Sequence, residues 1–329
     1  MKQRRTLVGL LAVLALVLSA CSAHGGKQAE SDNAGVGGGQ VANTKRFTIA
    51  MITHEQPGDS FWDKIRTGAK AAAAKDNIEL RYQNNPEAAG QANLIRSAID
   101  QKVDAIAVTM SKPDPLAPAI KAAVDAGIPV VGFNSGIKEW QRLGALQYFG
   151  SDEDLAGEAV GKRLTESGAK KALCIIQEQG SVALEARCAG VLKNFPNTEN
   201  VNVNGTDLPS VSSTIVSKLQ QDRSVDYIVT LGAPYALAAL QSATQAGSKA
   251  KVVTFDLNAD AAKAIKAGTI EFSVDQQPYL QGYEAIDSLW LYLTNGNEIG
   301  GGLPVLTGPS FVDKTNIDTI LTYANRNTR

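Results

Sequence analysis

From residue 47 onward the chain alternates between short apolar runs and longer stretches whose apolar residues recur every three or four positions. The apolar runs, at 47–53, 78–84, 104–110, 129–134, 172–177, 201–206, 227–231, 251–256 and 270–275, have the length of strands. Segments 87–101, 115–126, 155–167, 235–246 and 279–294 have the length and period of helices; in the first of them Ala88, Ala92, Ile95 and Ile99 share a face. Several of the strands are apolar without alternation, as expected when helices cover both faces of a sheet. Strand and helix in steady alternation predict an α/β protein made of parallel, doubly wound sheets.

One strand-helix series closes near 148–152, and a second runs from 153 to about 275. The remainder is too short for a third domain, although it holds a long helix and a Gly/Pro-rich stretch at 300–309. The economical arrangement returns it to the first sheet and then crosses back. The expected lobes are therefore 46–150 plus 276–308 and 151–275 plus 309–329. These are two Rossmann-like lobes joined by three crossings, with a ligand cleft between them. Open α/β sheets bind ligands at the carboxyl ends of their strands, so site residues are sought there.

The segment after the first strand is the most informative. His54-Glu55-Gln56-Pro57-Gly58-Asp59 has turn chemistry and carboxylates. Ser60 is placed to cap the next helix, with Asp63 completing an imperfect capping box. Ile65, Ala69 and Ala72 give that helix its apolar face, which leaves Phe61 and Trp62 at the helix mouth as a wall for a small ligand. The turn lacks G-x-G-x-x-G, so a dinucleotide has no cradle there. No G-x-S-x-G elbow is present, and His54 is the sole histidine past the tether. The expectation is a binding protein, not an enzyme, with no cofactor and no metal.

At 329 residues, 44% hydrophobic and 20% charged, the chain can fill two lobes. Its net charge of −1 and lack of a basic cluster argue against nucleic acid and against a phosphorylated ligand. Lys2, Arg4 and Arg5 precede an apolar stretch at 7–18 and then Leu18-Ser19-Ala20-Cys21. Residues 1–20 thus read as a lipoprotein signal peptide with Cys21 as the acylated residue. Two acyl chains hold firmly, since each buried methylene contributes about 0.8 kcal/mol. Residues 21–45, rich in Gly, Ala, Ser and Asn, read as a flexible tether. The mature chain would sit on the outer face of the cytoplasmic membrane. In that oxidising setting Cys174 and Cys188 form a structural disulfide or, as the second reading, remain two buried thiols.

Six pieces, in order, carry a resemblance. They are Asp59-Ser60-Phe61-Trp62 with Gly68-Ala69, Gly127-Ile128-Pro129-Val130-Val131, Gly150-Ser151-Asp152 with Gly157, Arg187 with Gly190, Phe255-Asp256, and Asp275-Gln276-Gln277-Pro278. From residue 47 onward the chain resembles the type I periplasmic binding proteins of sugar ABC importers, in the form that carries a lipobox. The resemblance implies a monomeric receptor that closes by a hinge over a small neutral sugar or polyol and delivers it to ABC permease subunits. It also implies that Asp59 binds hydroxyls, that Phe61 and Trp62 stack on the carbon face, and that Arg187 reaches the ligand with its fork.

A ligand-sensing subunit feeding a signalling receptor would look the same; a Rossmann-fold enzyme is the more distant alternative. A DNA-binding regulator of similar lobes would need a helix-turn-helix where this chain has an export signal.

Asp256 ends an apolar strand, where a carboxylate needs partners. Gln276 lies where the chain recrosses between lobes, and His54, Glu55 and Glu178 lie at the same rim. Two places depart from the resemblance. Asn134-Ser135 stand where many relatives carry Asp then Arg. Gly232-Ala233 replace Asn and Asp, so that either the pocket widens or Tyr235 supplies the missing group.

Overall fold

The computed structural model describes residues 41–329; Cys21, the expected signal peptide and most of the expected tether lie outside them. The first series runs β1 (Phe47–Thr53), α1 (Phe61–Lys75), β2 (Ile78–Asn84), α2 (Ala88–Asp100), β3 (Ala105–Thr109), α3 (Pro113–Asp125), β4 (Val130–Phe133) and β5 (Gln147–Ser151). The second runs α4 (Glu153–Glu166), β6 (Ala172–Ile176), α5 (Val182–Asn194), β7 (Thr198–Asn202), α6 (Leu208–Gln221), β8 (Tyr227–Thr230), α7 (Ala233–Ala246), β9 (Lys251–Phe255), α8 (Ala259–Ala267) and β10 (Ile270–Asp275). The chain ends with α9 (Pro278–Asn295), β11 (Val305–Gly308), β12 (Ser310–Asp313) and α10 (Ile317–Asn325).

Two six-stranded sheets result, ordered β11-β5-β4-β3-β1-β2 and β12-β10-β9-β8-β6-β7. They match position for position. Every pairing is parallel except β10 with β12. The chain passes between sheets after Ser151, after Asp275 and between Gly308 and Ser310. Helices cover both faces of each sheet. The two apolar layers of each lobe are therefore fully buried, among them Ile49, Met51 and Ile106 in one and Ile175, Ile228 and Val252 in the other.

The strand expected at 201–206 lies three to four residues earlier: β7 spans Thr198–Asn202. It is an edge strand with only Val201 buried, so its apolar pattern is too sparse to set the register. β5, β11 and β12 carry mixed sequences and become strands only because a neighbouring strand accepts them.

Two helix pairs approach backbone to backbone through glycine. A Cβ on Gly68 of α1 would lie 2.0 Å from the carbonyl oxygen of Tyr279 in α9. One on Gly157 of α4 would lie 2.1 Å from the carbonyl oxygen of Arg187 in α5. A disulfide joins Cys174 of β6 to Cys188 of α5, which selects the first of the two cysteine readings.

Two local expectations are corrected. Ser60 does not cap α1 with its side chain, because its own backbone is already helical at φ −66° and ψ −10°. The Asp59 carboxylate instead accepts from the Phe61 amide at 3.0 Å. The tether also ends before residue 45: the Ala42 amide donates to the Lys75 carbonyl at 2.8 Å, and Trp290 Nε1 donates to Thr44 Oγ1 at 3.2 Å.

Candidate functional site

The carboxyl ends of the two sheets face each other across one cavity. Its lining includes His54, Asp59, Phe61, Trp62, Asn134, Glu178, Arg187, Tyr235, Asp256 and Gln276. Those ten candidates come from loops after β1, β4, β6, β9 and β10, from helix α5 and from the first residues of α1 and α7. Ser135 and Glu55 do not line it. Asn134 has φ +63°, and this left-handed turn sends the next side chain away from the cavity. Ser135 is buried behind it, its carbonyl accepting from the Met110 amide at 3.1 Å. Glu55 is buried beside the cavity and turns to Arg66, with which it pairs, while accepting from the Tyr82 hydroxyl at 2.7 Å.

Asp256 sits at the matching position of the second sheet and also has φ +63°. Asn and Asp tolerate this conformation better than other residues with a Cβ. The two lobes thus present the same strand-end turn to the cavity. Gln276 bridges them: its Nε2 donates to Asp256 Oδ1 at 2.8 Å, and its Oε1 accepts from Asn134 Nδ2 at 3.3 Å. Gln281 of α9 holds Gln276 from behind, donating through Nε2 to its Oε1 at 2.9 Å.

Arg187 is 3% exposed and already committed. Its Nε and Nη2 donate to Glu153 at 2.6 and 3.0 Å, its Nη1 donates to the Leu231 carbonyl at 3.2 Å, and Nη1 lies 3.6 Å from Asp256 Oδ2. The guanidinium stacks over the Phe255 ring at 4.7 Å. Glu153 therefore uses most of the fork, and Arg187 faces the cavity as a fixed cation. Burial pushes the Asp256 carboxyl up to about 7, against the pull of Arg187 and Gln276.

The aromatic wall divides. Trp62 is 3% exposed and packs into the first lobe's core, with edge contacts to His54 at 4.8 Å and Phe61 at 5.3 Å between ring centroids. Phe61 stays half-buried in front of it. At the second departure, a Cβ on Gly232 would come within 3.2 Å of the Tyr235 ring. The Tyr235 hydroxyl donates to the Gly205 carbonyl at 3.2 Å. The ring therefore packs against the space beside Gly232, and its hydroxyl is spent on the Gly205 carbonyl.

Sequence reasoning missed Gln56, Gln177 and Ser181, which line the cavity, and Lys64, which lies behind it. Lys64 is 1% exposed. Burial lowers its ammonium below the usual lysine range, against the attraction of Asp256, Asp59 and Asp275. A signal existed for it: position 64 falls beside Ile65 on the apolar face of α1.

His54 is neutral in this setting. Its Nδ1 shares a hydrogen bond with Thr109 Oγ1 at 2.7 Å, and burial, then Lys112, lowers the ring to about 3. The unfolded ring binds a proton below its ordinary 6.5 while the folded one does not until about 3, so this group costs stability as pH falls through that window. Glu178 and Asp256 act oppositely. Burial raises both to about 7, so the folded chain keeps protons that the unfolded chain releases, and stability rises as pH falls from 7. His54→Gln should therefore gain about 1 kcal/mol relative to the parent per unit of acidification below pH ~6. Urea melts along a pH series check this; parallel curves for the two proteins would refute it.

Two parallel-sheet lobes with a polar cavity at their facing strand ends are the arrangement of a solute-binding protein. The chain belongs to the periplasmic binding protein domain family, whose profile matches residues 49–298. A solved carbohydrate transporter from Acidothermus cellulolyticus 11B, in complex with myo-inositol, is 55% identical and superposes with a TM-score of 0.85 over 86% of this chain and 100% of that one. The xylose/arabinose-binding protein XylF of Sulfolobus acidocaldarius is 24% identical, covering 86% of this chain and 75% of its own. The ribose import binding protein RbsB of Bacillus subtilis is 23% identical over 85% of this chain and 90% of its own.

Proposed function

We propose that this protein is the monomeric, lipid-anchored receptor of a sugar ABC importer. In this reading it is held by Cys21 on the outer face of the cytoplasmic membrane and captures a neutral polyhydroxylated ring. The lobes close over the ligand, and the closed form is handed to the permease. The observation that carries this reading is the ring of polar groups from both lobes, Asn134, Gln276, Asp256 and Arg187, facing Phe61 and Trp62 across one cavity. A cyclic polyol offers hydroxyls that both donate and accept, set around weakly apolar carbon faces. Side chains with planar polar groups and an aromatic wall answer both features. Binding to both lobes shifts the population toward the closed form, because only that form makes all the contacts.

Likeness to the myo-inositol complex makes a cyclitol the first ligand to test, ahead of pentoses, hexoses and linear alditols. At about a hundred times its Kd, myo-inositol should stabilise the fold by about 2.7 kcal/mol and raise the Tm by roughly 5–10 °C. Small-angle scattering should show compaction on the same addition. If no sugar or polyol in such a panel does either, the reading fails.

A further inference from the structure

At the edge of the cavity, beside His54 and Glu178, the lobes also meet along one stretch of rim. It is formed where the chain leaves β3 of the first sheet and β6 of the second. Each of these strands borders the place where the strand order of its sheet reverses. The amide of Val182 donates to the carbonyl of Ser111 at 3.0 Å, one backbone hydrogen bond from lobe to lobe. Beside it, Lys112 Nζ lies 3.8 Å from Glu178 Oε1, and His54 Nε2 lies 3.9 Å from Glu178 Oε2. Glu178 is 9% exposed, and its Oε1 receives no hydrogen bond. The other acids acting on it, Asp59 and Glu87, repel it, and His54 is uncharged. Lys112 is thus the cation that favours the Glu178 charge in this arrangement, and it stands outside the cavity lining.

This pairing crosses between lobes, so opening the cleft separates it. We propose that Lys112 and Glu178 form a clasp across the rim that sets how long the closed complex lasts, with Lys112 a positioning residue that never touches the ligand. The proposal rests on the reading of closure around a bound polyol. The competing view is that Glu178 is simply a ligand contact and Lys112 a surface charge. The two differ in what happens when Lys112 alone is changed.

The experiment uses the mature chain, with stopped-flow tryptophan fluorescence to follow myo-inositol release and small-angle scattering to follow closure without ligand. Lys112→Met should speed release about fivefold with little change in association rate, as expected for a largely buried ion pair acting on the bound state. Glu178→Gln should do the same, and the double variant should be no worse than either single one. Exchanging the charges, Lys112→Glu with Glu178→Lys, should restore slow release. In ligand-free scattering the single variants should be more expanded than the parent.

Release and scattering unchanged by Lys112→Met, or single effects that simply add, would overturn the clasp. If the parent binds no sugar or polyol of the panel, the ligand reading fails by itself. The ligand-free scattering of the same variants then still decides the clasp.

Discussion

Asp256→Ala is expected to abolish ligand binding while leaving the protein folded. The carboxylate is 7% exposed and lies at the centre of the chain of contacts from Asn134 through Gln276 to Arg187 and Glu153. Its removal takes away a charged acceptor, frees the amide of Gln276 and leaves the Arg187 cation with Glu153 as its one carboxylate partner. Hydrogen bonds to charged groups contribute about 1.5–3 kcal/mol each. Losing two of them weakens binding by at least about a hundredfold. Alanine is also less at ease than aspartate at φ +63°, at a cost of about 1 kcal/mol. Removing a carboxylate that burial disfavours offsets part of this above neutral pH, because its charge is costly there. Asp256→Asn separates the two effects, since it keeps the turn and one acceptor but loses the charge, and it should retain weak binding. Titration calorimetry with myo-inositol and thermal melts on both variants check this. Alanine-variant affinity within tenfold of the parent would remove Asp256 from the site.

Gly157→Leu is expected to be severely damaging although it lies outside the cavity. A bare Cβ at this position would already lie 2.1 Å from the carbonyl oxygen of Arg187, so α4 and α5 must separate by more than an ångström to admit any side chain. Overpacking in a well-packed interface costs about 1–3 kcal/mol, and here the obstacle is backbone, which cannot rotate away, so about 3 kcal/mol or more is expected. The damage extends to the cavity because the helices forced apart carry Glu153 and Arg187, the two ends of the bidentate pair. Affinity should fall about tenfold even at temperatures where the variant is fully folded, through the stretched charged hydrogen bonds. Denaturant melts and calorimetry distinguish the two losses. A variant that is destabilised yet binds like the parent would show that Arg187 keeps its place independently of the α4–α5 spacing.

Both changes bear on how the site is assembled. Asp256, Asn134 and Gln276 could be named from the chain because apolar strands end on them, and a strand's end is the place where a parallel sheet delivers side chains to a cleft. Phe61 and Trp62 could be named because they break the pattern of a helix start. Arg187 was named from the resemblance, but its commitment to Glu153 was not visible, since the partners are 34 residues apart and on different helices. Lys64 and Gln281 stayed hidden for the same reason. Each lies on a helix face that looks merely amphipathic until the opposing lobe or turn is in place.

The sequence by itself determined the strand and helix alternation, most element positions and the polar groups at the strand ends, because these depend on local period and on the need to bury apolar runs. It could not determine which way a side chain leaves a strand end. Asn134 and Ser135 are adjacent, yet one faces the cavity and the other is buried behind it, a difference made by one left-handed backbone angle. Nor could it place the rim contact between Lys112 and Glu178, 66 residues apart, or the approach of Gly157 to Arg187. Those depend on how elements far apart in the chain meet in the folded protein, which no local pattern encodes.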